Sequence, residues 1–257
     1  MIHPLAYTHP DSKIASNVTV DPFSFVGKNV EIGEGTTIAA NVTILEGSRI
    51  GKNCKIFSGA VIGAIPQDLK FRGEESLAII GDNTTIRECV TINRGTVAKG
   101  KTVVGSNCLI MAYSHVAHDS IVGNNVIIGN STQLAGEVEI DDFAILSAGI
   151  LVHQFTRIGS HVMIQGGSKI NKDIPPYITA GREPISYAGL NSIGLRRRGF
   201  SSETLRDIQE TYRLIYLSGL NNSDALVRVE AEIPASSERD SIVQFIRNSE
   251  RGIIKGY

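Results

Sequence analysis

The sequence predicts an all-β parallel β-helix made of hexapeptide repeats, followed by a small C-terminal α-helical domain. Two observations favour the β-helix: aliphatic residues recur at every sixth position, and the repeat resumes in register after each of two interruptions. A change to helical periodicity beyond the last repeat favours the second domain. We therefore assign residues 1–186 to the β-helix and residues 187–257 to the helical domain.

One position in each of twenty-four hexads is aliphatic, from Ile14 to Ile62, from Ile80 to Ile92 and from Val104 to Ile170. A period of six fits neither an α-helix nor a long alternating strand, but it fits short strands joined by tight bends. Three hexads then close one coil, and successive coils stack about 4.8 Å apart. The aliphatic side chains are expected to point inward and form the core of this prism.

Two segments break the repeat, and both are predicted to be loops extruded from the prism wall. They cover residues 64–79, which include the Ile65–Lys70 stretch, and residues 93–103, which begin with the Asn93–Thr96 stretch. Loops held by a rigid scaffold commonly carry binding and catalytic residues. We therefore expect the functional site close to these two loops.

The chain beyond Asp173 predicts three helices. Ser201 or Ser202 can cap the first helix and Ser223 the second, because a serine hydroxyl accepts a hydrogen bond from a free N–H of the first turn. The third helix is predicted around residues 237–248. The first helix has an apolar stripe at helical spacing, formed by Leu205, Ile208, Tyr212 and Ile215.

Composition and charge exclude several classes of protein. Of 257 residues, 42% are hydrophobic and 20% charged, and the formal charge of −1 offers no general attraction to nucleic acid or acidic lipid. No signal peptide is visible, and the longest nearly apolar run, Ala144–Val152, is too short to span a bilayer. The three cysteines indicate neither a disulfide framework nor a thiolate metal site. We expect a cytoplasmic protein with no nucleic-acid partner and no transmembrane segment.

Three of the six histidines are predicted to gather on one wall. Residues eighteen apart lie on adjacent coils, so His118 is expected one coil from Gly136 and two coils from Gln154. The same counting places His115, His118 and His153 within about 10 Å of one another. Asp119 could hold the imidazole of His118 in one tautomer, and a glycine beside it would leave an N–H open to an oxyanion.

This histidine cluster is compatible with more than one role. A single histidine at a bend is more commonly a solvated polar residue, and three histidines can bind zinc with one open position. The Arg196–Arg198 run is equally compatible with a solvated loop and with an anion-binding role. The residues alone leave a general base, a zinc site and a non-catalytic scaffold open.

The ordered set of motifs resembles one known family. The set consists of the hexads, the Ile65–Lys70 loop and the stretches Thr91–Thr96, His115–Asp119, Leu134–Gly136, His153–Phe155 and Gly194–Phe200. Together they resemble the UDP-N-acetylglucosamine O-acyltransferases, hexapeptide-repeat enzymes of the first step of lipid A synthesis in Gram-negative bacteria. The resemblance covers nearly the whole chain. A hexad repeat alone would be weak support, because many acyltransferases share it.

The resemblance implies a homotrimer of left-handed parallel β-helices with active sites between subunits. The donor would be a 3-hydroxyacyl group on acyl carrier protein and the acceptor the 3-hydroxyl of UDP-N-acetylglucosamine, with no metal or redox cofactor. His118 resembles the general base, Asp119 its orienting carboxylate and Gly136 the backbone donor to the oxyanion, while Gly166 resembles a ruler of acyl length. The resemblance also implies a substrate-binding set of Gln67, Asp68, Lys70, His115, His153, Gln154, Asn191, Arg197 and Arg198.

Some positions depart from the family pattern. Asn93 and Glu137 stand where some members have histidine, and Ile193 where some have an acidic residue, which puts details of the nucleotide-sugar contacts in doubt. The N-acyltransferase of the same pathway shares the prism, but it carries a large domain ahead of its hexads, whereas the repeat here is under way by Ile14. The prism by itself is also compatible with a coenzyme A-dependent acetyltransferase and with a zinc protein resembling the γ-carbonic anhydrases.

Overall fold

A computed structural model describes residues 1–256 and shows a prism of very short strands. In chain order the strands are β1 Tyr7–Thr8, β2 Lys13–Ile14, β3 Thr19–Val20, β4 Phe25–Val26, β5 Glu31–Ile32, β6 Thr37–Ile38, β7 Thr43–Ile44, β8 Ser48–Ile50, β9 Lys55–Ile56, β10 Val61–Ala64, β11 Leu77–Ile80, β12 Thr85–Ile86, β13 Thr91–Asn93, β14 Lys101–Val104, β15 Leu109–Ile110, β16 His115–Val116, β17 Ile121–Val122, β18 Ile127–Ile128, β19 Gln133–Leu134, β20 Glu139–Ile140, β21 Ile145–Leu146, β22 Leu151–Val152, β23 Arg157–Ile158, β24 Met163–Ile164, β25 Lys169–Ile170, β26 Ile178–Gly181 and β27 Ser186–Leu190.

Every third strand belongs to the same sheet, which makes three walls. Sheet I has nine strands from β1 to β25, sheet II eight from β2 to β23, and sheet III ten, from β3 to β24 with β26 and β27 added at its end. All pairs are parallel except β26 with β27. The predicted left-handed parallel β-helix is confirmed. Each predicted aliphatic position is the inner residue of a strand, and all but the partly exposed Ile14 are buried.

The corners between the walls share one backbone feature that the aliphatic pattern does not reveal. The third residue after the inner aliphatic residue adopts a positive φ at most corners. Asparagine tolerates this left-handed conformation better than most residues. It fills the position repeatedly at the corner between sheets II and III, which we call the II–III corner, at Asn53, Asn83, Asn107 and Asn125.

Both predicted loops exist but are shorter than expected. They cover residues 65–76 and 94–100. The flanking strands β10, β11, β13 and β14 have three or four residues where most strands have two, so the ends of the predicted segments belong to strands. Both loops leave the prism at the same corner, between sheets I and II, which we call the I–II corner. The loops also lengthen their coils, so that His115 pairs with Thr91, twenty-four residues earlier.

Four helices follow the prism: α1 Ser192–Arg197, α2 Ser202–Leu217, α3 Asn222–Glu232 and α4 Ser237–Arg247. Of the two predicted caps of α2, Ser201 is the N-cap, whereas α3 is capped by Asn221 and not by Ser223, since the Asn221 side chain accepts from the Asp224 N–H. Helix α1 is not predicted by the sequence, because its six residues carry no apolar stripe.

The helices pack on the end of the prism through apolar contacts and one buried hydrogen bond. The hydroxyl of Tyr212, on α2, donates to the Pro176 carbonyl at 2.6 Å. Strand β27 begins at Ser186 and pairs with β26, so the wall of sheet III runs into the helical part without a linker. The division at residues 186 and 187 stays a prediction. Among residues 1–256 no helix combines the length and apolar character needed to cross a membrane.

Candidate active site

His118 and Asp119 lie side by side at the I–II corner, directly after β16. The His118 Nδ1 atom is 2.8 Å from the Asp119 Oδ2 atom, and the His118 side chain is only 11% exposed. A carboxylate accepts hydrogen bonds only, so it selects the tautomer with the proton on Nδ1. The Nε2 lone pair of His118 is then available to take a proton, as a general base requires.

Asp119 is fully buried, and the loop of residues 94–100 supplies its hydrogen-bond donors. Its carboxylate accepts from the Thr96 N–H at 3.0 Å, the Thr96 hydroxyl at 2.6 Å and the Lys99 N–H at 3.1 Å. Burial by itself would raise the pKa of this carboxyl. The donors from Thr96, His118 and the Lys99 amide outweigh burial and hold the pKa of Asp119 below its usual value. Asp119 is therefore a stable anion beside the imidazole.

Thr96, Lys99 and Thr102 hold Asp119 in place, and the sequence assigned a role to none of them individually. The Thr102 hydroxyl accepts from the Asp119 N–H at 2.8 Å and so fixes the backbone of the corner. The Thr96–Asp119 contact spans 23 residues, and the irregular loop between them gives no periodic signal. The one available signal is the extrusion of the 94–100 loop at the corner that carries Asp119.

Gly136 lies one coil above His118, as predicted, with its backbone against the imidazole. A Cβ added at Gly136 would lie 2.6 Å from both Cε1 and Nε2 of His118, far inside contact distance. The next coil follows, because the Phe155 N–H donates to the Gly136 carbonyl and places Gln154 in the same corner. Within residues 1–256 the Gly136 N–H has no backbone acceptor. An oxyanion near Nε2 could use that free donor.

The other two histidines of the cluster differ from His118. The His115 Nδ1 atom is 2.7 Å from the Thr91 hydroxyl, and burial, reinforced by the neighbouring His118, lowers the pKa of His115. His153 is exposed, with its Nδ1 atom 2.9 Å from the Gln154 carbonyl oxygen. No set of three or more His, Cys, Asp or Glu side chains in the described chain is arranged to hold a metal ion.

The 65–76 loop carries three of the predicted substrate-binding residues. The Asp68 carboxylate accepts from the Lys70 N–H at 2.9 Å, while Gln67 and Lys70 are exposed. This loop is joined to the 94–100 loop, because the Glu74 carboxylate accepts from the Val97 N–H at 3.2 Å. The two loops therefore stand together at the I–II corner.

The predicted nucleotide-binding residues lie at the II–III corner. The Asn191 side chain caps α1 by accepting from the Gly194 N–H at 3.2 Å, and its amide donates to the His161 carbonyl at 2.9 Å. Arg197 is exposed and lines, with Asn191, a cavity of about 350 Å³. Arg198 lies over the Phe143 ring at 5.3 Å, and burial lowers the pKa of its guanidinium. Within one chain this set and His118 occupy different corners.

Gly166 lies at the third corner, between β24 and β25, and is exposed. A Cβ there would meet the Ala148 carbonyl oxygen at 3.0 Å, so even a small side chain would require this close contact to widen by a few tenths of an ångström. Of the three departures from the family pattern, Asn93 is buried and donates to the Ile65 carbonyl at 3.0 Å, which anchors the base of the 65–76 loop. Ile193 is 65% exposed and lines the cavity beside Asn191.

Comparison with known proteins points to the family that the sequence motifs resemble. Residues 173–254 match the family model "Udp N-acetylglucosamine O-acyltransferase; Domain 2", residues 101–136 match "Bacterial transferase hexapeptide (six repeats)" and residues 2–106 match the GMPPB C-terminal domain. The chain is 44% identical, over 99% of both sequences, to the acyl-[acyl-carrier-protein]–UDP-N-acetylglucosamine O-acyltransferase of Pseudomonas entomophila (strain L48).

Solved structures extend the similarity to the fold. A UDP-N-acetylglucosamine acyltransferase from Bacteroides fragilis 9343 has a TM-score of 0.98 at 64% identity, with coverage of 99% of this chain and 100% of that one. The Francisella novicida UDP-N-acetylglucosamine acyltransferase has a TM-score of 0.97 at 41% identity, with coverage of 99% and 94%. The similarity therefore includes both the prism and the helical end of the chain.

Proposed function

This chain belongs to the UDP-N-acetylglucosamine O-acyltransferase family, and we propose that it catalyses the reaction for which its relatives are named. It moves a 3-hydroxyacyl chain from acyl carrier protein to the 3-hydroxyl of UDP-N-acetylglucosamine, the first step of lipid A synthesis. The observation that carries the proposal is the buried His118–Asp119 pair, with the Nε2–Cε1 edge of the His118 ring close to the backbone of Gly136.

The reaction needs no covalent enzyme intermediate. Nε2 of His118 takes the proton of the sugar hydroxyl while its oxygen attacks the thioester carbon, and Asp119 stabilises the imidazolium that forms. The negative charge that develops on the carbonyl oxygen accepts a hydrogen bond from the Gly136 N–H. Collapse of the tetrahedral species breaks the carbon–sulfur bond, and the imidazolium returns its proton to the departing carrier thiolate.

We propose that substrate contacts divide between the two corners. Gln67, Asp68 and Lys70 on the 65–76 loop, with His115, His153 and Gln154, position the sugar and the acyl group. Asn191, Arg197 and Arg198 bind the nucleotide, since a guanidinium fork matches the oxygens of a diphosphate. Gly166 sets the acyl length, because a side chain in its tight position would shorten the space for the chain.

A homotrimer would bring these two groups together across subunit boundaries. Two features support it. The His118 corner and the Arg197 corner are separate within one chain, and sheet III carries an outward-facing aliphatic column that remains partly exposed, formed by Leu109, Ile127, Ile145 and Met163. Exposed apolar columns of this kind commonly mark interfaces. The free thiols of Cys54, Cys89 and Cys108 agree with a cytoplasmic location.

The test is an acyl-transfer assay with UDP-N-acetylglucosamine and a series of 3-hydroxyacyl carrier proteins of different chain length. We expect transfer by the wild type and a fall in kcat of about 10²- to 10⁴-fold for His118→Ala, the usual contribution of a general base. His3→Ala, which alters an exposed histidine near the N-terminus, serves as the matched control and should retain activity.

Two outcomes would contradict the proposal. Folded wild-type protein that transfers no acyl chain of any length would remove the reaction, and a fully active His118→Ala variant would remove the base. A chelator arm distinguishes a zinc enzyme, since general-base catalysis by His118 should survive chelation.

A further inference from the structure

We propose that Glu139 is a positioning residue for the general base, acting through Lys99 on Asp119. This inference rests on the proposed function, because it assigns Glu139 a part in the acyl transfer that His118 carries out. Glu139 is the outer residue of β20 on sheet II and does not contact His118. Its influence on catalysis would therefore pass through Lys99, the bonded partner that also contacts Asp119.

Lys99 donates two hydrogen bonds, one from its backbone to the catalytic pair and one from its side chain to sheet II. Its backbone N–H donates to the Asp119 Oδ1 atom at 3.1 Å, and its side-chain Nζ donates to the Glu139 Oε1 atom at 2.7 Å. Lys99 lies at the end of the 94–100 loop, next to the start of β14. The ion pair with Glu139 thus fixes the end of the loop whose amides hold Asp119.

Glu139 is itself held from the other side by Arg157 on β23. The Arg157 Nε atom is 3.6 Å from the Glu139 Oε2 atom. Arg157 is anchored at three points: its guanidinium lies 4.7 Å from the Phe245 ring, its Nη1 donates to the Asn248 carbonyl at 3.1 Å, and its backbone N–H donates to the Asp173 carboxylate at 2.9 Å. These contacts tie the ladder Lys99–Glu139–Arg157 to α4.

The ladder lines a cavity of about 290 Å³ together with Glu137 and Phe155, which lie at the I–II corner. The three side chains of the ladder are partly exposed: 29% for Lys99, 43% for Glu139 and 30% for Arg157. Ion pairs of this exposure add little to global stability. The contribution of Glu139 is instead local, because it restricts where the Lys99 amide lies relative to Asp119.

The chain contains an internal control for this proposal. Lys13, Glu31 and Arg49 form a ladder of the same composition on the same sheet, with distances of 3.0 Å and 3.8 Å, and Glu31 is 44% exposed. The Lys13 N–H donates to the Val30 carbonyl in the prism wall and not to a catalytic carboxylate. The two ladders share their chemistry and differ in what the lysine backbone holds.

The experiment compares Glu139→Gln with Glu31→Gln in the full chain. We expect kcat to fall about 3- to 10-fold in Glu139→Gln with KM unchanged, the effect of weakening one hydrogen bond to Asp119. Glu31→Gln should keep both constants. A Lys99→Met variant should show a similar loss, and the Glu139→Gln/Lys99→Met double variant should lose no more than either single one, because both act through the same contact.

A second readout does not depend on the reaction. Amide hydrogen exchange in residues 94–100 should be faster in Glu139→Gln than in the wild type and unchanged in Glu31→Gln. Unchanged exchange and kcat in Glu139→Gln would overturn the proposal, as would a loss confined to KM. If the wild type transferred no acyl group, the proposed function would fail, while the exchange measurement would still decide whether Glu139 holds the loop.

Discussion

The II–III corner and the I–II corner are built from the same hexad but use it differently. At the II–III corner, side chains of one coil accept hydrogen bonds from backbone N–H groups of the coil before it: the Lys52 N–H donates to the Asp82 side chain, the Asp82 N–H to the Ser106 side chain and the Ser106 N–H to the Asn124 side chain. At the I–II corner that regularity is replaced by two loops and by the His118–Asp119 pair.

The difference shows how a repeat accommodates a catalytic group. Asp119 has φ +60° and Asn125 has φ +56°, so both residues solve the same conformational problem. Asparagine is sufficient where the corner needs only a left-handed residue. Aspartate adds a charge that must be satisfied in the buried site, and the 94–100 loop supplies the donors. A buried carboxylate at this corner therefore requires the 94–100 loop, which donates the hydrogen bonds that compensate its charge.

The largest effect expected from this comparison is that of Asp119→Asn. Asparagine keeps the left-handed corner but removes the charge that selects the His118 tautomer and stabilises the imidazolium. We expect kcat to fall about 10²- to 10⁴-fold, with the folded structure retained, as orienting carboxylates of catalytic histidines show elsewhere. Steady-state kinetics of acyl transfer and circular dichroism measure the two consequences.

The reciprocal change, Asn125→Asp, is the matched control at the other corner. It should leave kcat unchanged, since Asn125 holds no catalytic residue. An Asp119→Asn variant with wild-type turnover would show that the carboxylate does not orient the base. The charge of Asp119 would then have no catalytic role, and the residue would serve only the left-handed backbone of the corner, as Asn125 does.

The next effect in size is that of Gly136→Ala. The added methyl group would lie 2.6 Å from the His118 ring, which must then move away from its position. We expect about a 10- to 10²-fold loss in kcat, because a displacement near 1 Å at a reacting group has costs of this order. Gly27→Ala at the same corner, where the nearest atoms are 3.4 Å away, should be nearly silent in the same assay. Equal activity in both variants would mean that close packing of Gly136 on His118 is not needed.

The sequence predicts the prism well, because a buried aliphatic side chain is required at the same place in each hexad. It also predicts the column of His118, Gly136 and Gln154, since no loop interrupts that part of the repeat. It does not predict Thr91 as the partner of His115 or Thr96 as a partner of Asp119. Those contacts depend on how a loop folds back, and counting in eighteens fails across an insertion.

The smallest predicted effect concerns His161, where the II–III corner departs from asparagine. The column becomes aromatic there, with the His161 ring stacked between Phe143 at 4.8 Å and Tyr177 at 5.6 Å. Its Nδ1 atom is buried with no hydrogen-bond partner among the described residues. Burial, reinforced by the positive charge of Arg198, lowers the pKa of His161 to about 4 from an ordinary value of 6.5.

A depressed histidine pKa makes folding stability depend on pH in a defined direction. Between pH 6.5 and pH 4 the unfolded chain binds a proton at His161 that the folded chain does not, so this contribution to stability is lost as the pH falls. His161→Phe removes the titration and suits the corner, since Phe143 and Phe155 have the same positive φ. Partial exposure of the ring reduces the effect, and we expect the fall in Tm between pH 7.5 and pH 4.5 to be about 2 to 4 °C smaller in the variant. Parallel curves of Tm against pH for the two proteins would contradict the prediction. They would mean that His161 can be protonated between Phe143 and Tyr177 without loss of stability, so that the II–III corner accommodates a charged side chain as the I–II corner does.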